Sequence, residues 1–205
     1  VLTGEETGSS RGASAATTTV DEVTYAFGND RTEVVVSWHG GATTLFWGPD
    51  DSYGSQVAAT PSAITPVDIA GPFSEARLTG LSAGTTYHFT IGTDGVDRVL
   101  HTAPANDQDF TAVVIADTEA TICRTYQSQM FGLVAAVDAD FLVHHGDLAI
   151  ANECGEPAVH QFFLDMEATL ANGAAFQPMW GNHEYGNPTA DAPRGTPRDT
   201  LANYK

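Results

Sequence analysis

The feature that most constrains this chain is a change of rhythm near residue 104. Before it, short apolar runs alternate with polar residues and are cut by turn residues. Val34, Val36 and Trp38 alternate with Val35 and Ser37, and Tyr87, Phe89 and Ile91 alternate with His88 and Thr90. A period of two marks strands with one buried face. Thr44 to Trp47 forms a further run, stopped by Gly48-Pro49-Asp50. Leu78 and Leu81 precede the turn Ser82-Ala83-Gly84-Thr85, and Val96 to Thr102 returns as a last strand. Strands this short and this frequent predict a β sandwich over residues 21–104. Residues 1–20, rich in Thr, Ser, Gly and Ala, read as a flexible lead.

From 105 to 205 the pattern becomes strand and helix in alternation. Phe110 to Ala116 reads as a buried strand ending at Asp117. Tyr126, Met130, Leu133, Val134 and Val137 recur at helical spacing, and Phe141 to His145 is the next strand. Pro157 suits a helix start, with Val159, Phe162, Phe163, Met166 and Leu170 as the apolar face. Phe176 to Trp180 is a third strand. This order implies a parallel α/β sheet with right-handed crossovers, so all three strand ends emerge at one edge.

The net charge is −18, from 26 acidic and 8 basic residues, which disfavours nucleic-acid binding. The halves carry 12 acidic and 4 basic residues up to 104, then 14 and 4, so the charge is a property of the whole surface rather than of a tail. No apolar run has the roughly 18 residues a membrane span requires. Cys123 and Cys154 both fall in loops after motif-bearing strands. A disulfide is reasonable if those strands are neighbours; two free thiols are the other reading. A disulfide would favour a secreted or extracellular location.

Three polar groups follow the three strands: Asp117, His145-Gly146-Asp147-Leu148, and Gly181-Asn182-His183-Glu184. A two-metal hydrolytic site requires hard oxygen ligands and a carboxylate able to bridge. Asp117 suits one metal, Asp147 the bridge, and the amide oxygen of Asn182 the other metal. His183, next to Asn182, is better placed as a proton donor or a phosphate partner. Gly146 and Gly181 allow tight turns and close backbone approach.

Asp117, Gly146-Asp147-Leu148-Ala149 and Gly181-Asn182-His183-Glu184, in that order, resemble the calcineurin-like metallophosphoesterases. The first domain narrows this to the purple acid phosphatase branch, because Leu81 to Tyr87 resembles the tyrosine corner of fibronectin type III domains. The resemblance implies a fibronectin III-like β sandwich followed by an α/β metallophosphoesterase domain. It also implies hydrolysis of phosphate esters at two Fe, Zn or Mn ions. Asp117, Asp147 and Asn182 would be metal ligands and His183 the catalytic histidine.

The chain departs from that family at three points. Ile150 stands where the family's iron-ligating Tyr would be, so no purple chromophore is expected. Glu119 stands where many relatives carry a His ligand, and is either a substitute oxygen ligand or a solvated carboxylate. The later histidine motifs are missing, so the chain is expected to end within its catalytic domain. Two other readings follow. One is a non-catalytic, self-associating protein on the same scaffold, held together through an unpaired sheet edge. The other is a phosphodiesterase or nucleotidase of the same superfamily.

The remaining conspicuous residues have plainer readings. One of His144 and His145 should pack in the sheet and the other face the site. His160 should be surface or helix packing, His39, His88 and His101 structural or solvated, and Trp38 and Trp47 sandwich core. Arg194 reads as solvated, with a phosphate contact as the alternative.

Overall fold

A computed structural model of the chain describes residues 19–62, 71–119, 127–149, 156–181 and 183–184. Eight strands come first: β1 (Asp21–Phe27), β2 (Val34–His39), β3 (Thr44–Gly48), β4 (Ser55–Ala58), β5 (Thr60–Pro61), β6 (Phe73–Leu78), β7 (Thr86–Ile91) and β8 (Arg98–His101). They form two four-stranded antiparallel sheets, in the orders β1-β2-β6-β5 and β4-β3-β7-β8. The alternation in β2 has its physical cause here: Val34, Val36 and Trp38 are completely buried. They face Leu45, Phe89, Ile91 and Leu100 of the other sheet in one apolar core. Trp47 packs at the margin of that core. The Tyr87 hydroxyl accepts the Ser82 backbone N–H at 3.0 Å, which ties the turn before β7 to its own strand. The last strand is shorter than its sequence pattern predicts. It starts at Arg98, leaving Val96 exposed in the preceding turn.

The second part continues with β9 (Ala112–Ile115), α1 (Gln127–Ala135), β10 (Phe141–His144), α2 (Glu156–Thr169) and β11 (Ala175–Pro178). The three strands pair in parallel in the order β11-β10-β9. The apolar face expected for α2 holds throughout: Val159, Phe162, Phe163, Met166 and Leu170 are all buried. Pro157 lies in its first turn, where a missing N–H costs nothing.

Two expectations are corrected. The strand at 112–115 is not a buried one: Val114 and the preceding Phe110 are 64% and 59% exposed. Among the described residues β9 is the edge of the sheet, and Val113 and Ile115 on its other face pack against the α/β core. The face of α1 is also different. Phe131 and Val134 are buried, whereas Leu133 is 72% exposed and Val137 lies beyond the helix end. Phe131 meets Phe162 of α2 edge-on, and Leu133, two residues on, is carried to the far side of the helix.

The two parts share buried surface. Phe73 of β6 packs in the α/β core, and Phe141 and Ala175 pack in the sandwich core. Between them, the buried Tyr25 hydroxyl donates to the carbonyl of Gly173 and accepts the His101 N–H at 2.9 Å. Val23 N donates to the Glu167 carboxylate at 3.2 Å. These bonds set β1 against α2 and β11, which fixes where the parallel strands end relative to the sandwich.

Candidate metal-binding edge

His144 of β10 lies level with Ile115 of β9 and Pro178 of β11, so the chain leaves all three strands at one edge. The ladder continues past the strand ends. His145 N donates to Ile115 O at 2.8 Å, Asp117 N to Gly146 O at 3.2 Å, and Thr118 N to Asp147 O at 3.1 Å. Asp117 and Asp147 are therefore joined through neighbouring backbone. Asp117 is exposed and Asp147 half-buried.

Three acidic residues at this edge have left-handed backbone: Asp117 at φ 53°, Glu119 at 57° and Asp147 at 54°. Each such residue costs about 1–3 kcal/mol, least for Asp, and persists only where the surroundings enforce it. The enforcement is visible at the glycines. A Cβ on Gly146 would strike the Gly181 backbone, and one on Gly181 would strike the Asp147 carboxylate. The two loops touch backbone to backbone, as the paired glycines predict.

Glu184 locks that contact. Its carboxylate is completely buried. One oxygen accepts Asp147 N at 2.8 Å and Gly181 N at 2.5 Å, and the other accepts Leu148 N at 2.7 Å. Asp147 Oδ1 in turn accepts the His183 backbone N–H at 2.9 Å. Glu184 is thus a positioning residue, although in the sequence it stands only as the last residue of the Gly181-Asn182-His183-Glu184 motif. Its adjacency to His183 was the one available signal.

His144 and His145 divide as expected, His144 fully buried and His145 exposed. His144 Nε2 lies 2.7 Å from Thr118 Oγ1, and that hydroxyl donates to Leu148 O at 2.9 Å. The hydroxyl proton is committed to Leu148, so Nε2 carries the imidazole proton. Burial pushes His144 down to about 4, against the raising effect of Asp147 and with a smaller lowering effect of His145. The ring is neutral and ties the Asp117 loop to the Asp147 loop.

Backbone contacts at this edge link the Asp117 loop, the Asp147 loop and His183, with Glu119 two residues beyond Asp117. Asn182, Ile150, Cys123, Cys154 and Arg194 lie outside the described residues. The donor chemistry fits a hard or borderline cation on the Asp117–Asp147 side: two carboxylates on adjoining loops, with the nearby backbone N–H groups of Leu148 and Gly181 already satisfied by Glu184.

Residues 20–106 match the family model of the purple acid phosphatase N-terminal domain. No curated protein sequence matches the chain significantly. Among solved structures, the chain is similar to the purple acid phosphatase PPD1 isolated from yellow lupin (Lupinus luteus) seeds, with a TM-score of 0.64 and 19% identity. That likeness covers 90% of this chain and 38% of the lupin chain, so the chain spans well under half of that relative. The family match covers the sandwich, and the structural likeness, which spans 90% of the chain, is one of fold.

Proposed function

We propose that the chain is the N-terminal part of a metal-dependent phosphoric ester hydrolase of the purple acid phosphatase type. In this reading a fibronectin III-like sandwich (21–104) precedes the first part of a metallophosphoesterase domain (105–205). One observation carries it: three parallel strands deliver Asp117, Asp147 and His183 to one edge, with both aspartates in strained left-handed backbone. Asp117 and Asp147 would hold the metals, Asp147 as the bridge, with Asn182 as the ligand on the far side and Glu119 as an accessory oxygen. When bound, the ions would supply Lewis-acid polarisation of phosphate and activation of water. The chain's own residues do the rest. Glu184 holds Asp147 and Gly181 in register, and His183 would donate a proton to the leaving group or bind the phosphate. Phosphate esters are the substrate class, nucleic acid is not a partner, and a secreted location goes with a Cys123–Cys154 disulfide.

The test is metal content and aryl phosphate hydrolysis of the purified chain. A loss of one to two Fe, Zn or Mn ions per chain in Asp147→Asn relative to the unaltered chain, along with any hydrolysis, supports the reading. Metal uptake unchanged in both Asp117→Asn and Asp147→Asn would overturn it.

A second reading is favoured by the exposed Phe110 and Val114 beside an edge of β9 that pairs with no other strand among the described residues. Such an edge is a template for pairing with a second chain. A mass above the monomer by light scattering, reverting with Val114→Lys, would support self-association.

A further inference from the structure

The geometry points to a second metal site, separate from the strand-end residues, that pins the sandwich to the α/β part through Asp21, Glu22, His39 and His160. Each of these residues offers one donor atom, and the four donor atoms all lie within 4.8 Å of one another. They come from three elements: Asp21 and Glu22 from β1, His39 from β2 and His160 from α2. His39 Nδ1 lies 2.6 Å from Asp21 Oδ1, and His160 Nδ1 lies 2.6 Å from Glu22 Oε1. The two imidazole rings meet edge to face at 6.1 Å between centroids.

The backbone is built to make this convergence. Neighbouring residues of a regular strand face opposite sides of the sheet. Asp21 and Glu22 would then be divided, one in and one out. The β1–β2 register shifts between Asp21 and Thr24, and Glu22 takes φ 54° inside that irregularity. A bulge of this kind re-aims a side chain. Both carboxylates thereby reach the same two histidines.

The Glu22 side chain is only 3% exposed, so its donor atom is held in a fixed, mostly buried position facing His160. Two imidazoles with two carboxylates form a closed four-ligand set for zinc. Tetrahedral zinc with bonds of about 2.0–2.1 Å sets ligand atoms about 3.3 Å apart. The two 2.6 Å pairs would open by about 0.7 Å, and donor atoms as far apart as 4.8 Å would close by up to about 1.5 Å. Asp21, His39 and His160 are all partly exposed, which gives the ion a way in. The ion would be structural: it would cross-link β1 and β2 to α2, where Val23 and Glu167 already meet.

The experiment uses the full chain, stripped with chelator and titrated with Zn2+ or Co2+. Asp117→Asn/Asp147→Asn isolates the interface cluster, and His39→Gln/His160→Gln removes it. The first variant should keep one bound ion, show the intense visible absorption of four-coordinate Co2+, and gain about 5–10 °C in Tm at hundredfold excess over Kd. The histidine variant should lose that ion and that gain. If the histidine variant fails to fold, proton NMR of the Co2+-loaded first variant replaces it, with shifted signals expected from His39 and His160. No bound ion in the first variant, uptake unaltered by the histidine changes, or unshifted histidine signals would overturn the site and leave two hydrogen-bonded pairs.

Discussion

The sandwich and the strand-end edge are stabilised in opposite ways. The sandwich rests on side chains without charge: Val34, Val36, Trp38, Leu45, Ile91 and Leu100 are completely excluded from water. The strand-end edge rests on polar groups held against backbone: Glu184 under three N–H groups, and His144 under Thr118. A packed apolar core needs only volume and pattern, and tolerates any local order of polar residues around it. An edge that must present carboxylates in left-handed backbone needs each donor and acceptor in its place. The comparison teaches that the first region supplies stability and the second consumes some of it to preorganise a site.

The largest effect should come from the sandwich. Trp38→Ala removes a fully buried indole and should cost about 3–5 kcal/mol, read by urea unfolding. Glu184→Ala should follow at about 3 kcal/mol, because it leaves Asp147 N, Leu148 N and Gly181 N without their acceptor. The two variants differ in reach. Hydrogen exchange in Glu184→Ala should speed at Leu148 and Gly181 and stay slow at Val36. Equal acceleration at Val36 would break the comparison and make the chain one cooperative unit.

Acid should separate the two regions next. His144 has a folded value of about 4 against an ordinary 6.5, so the unfolded chain binds its proton first as pH falls. The contribution is fully present above the ordinary value, declines as pH drops through it, and is gone below about 4. Between pH 7 and 5 the loss is about 2 kcal/mol. In His144→Asn this dependence should flatten across that window. An unchanged slope would assign the acid sensitivity elsewhere.

The smallest effect on stability should be the most informative for function. Asn tolerates left-handed backbone, and its Oδ1 can accept the His183 N–H as Asp147 does. Asp147→Asn should therefore change stability by less than about 0.5 kcal/mol. Metal affinity should fall at least about a hundredfold, the upper range for lesser partners of a metal site. A stability loss comparable to that of Glu184→Ala would make Asp147 a structural carboxylate.

Much of this was legible in sequence where the signal is local. The period of two in β2 and the helical stripe of α2 each report one buried face, and both faces are buried as expected. The glycines at 146 and 181 announced a close approach, and the loops do touch. Legibility fails where a partner far along the chain decides the outcome. The exposure of Val114 depends on whether another layer covers its face of β9, which no property of 112–115 encodes. Leu133 and Phe131 are equally apolar, and only the position of α2 selects Phe131.

The histidines draw the boundary most sharply. By itself the sequence determined that two strand-end motifs would share an edge, because parallel pairing follows from strand–helix alternation. Only the tertiary structure decided that His160 would meet Glu22 across 138 residues and that His39 would stand beside them. The reason is physical. Periodicity encodes which face of an element is buried, whereas convergence of polar side chains depends on how packed elements align and on one bulge in β1.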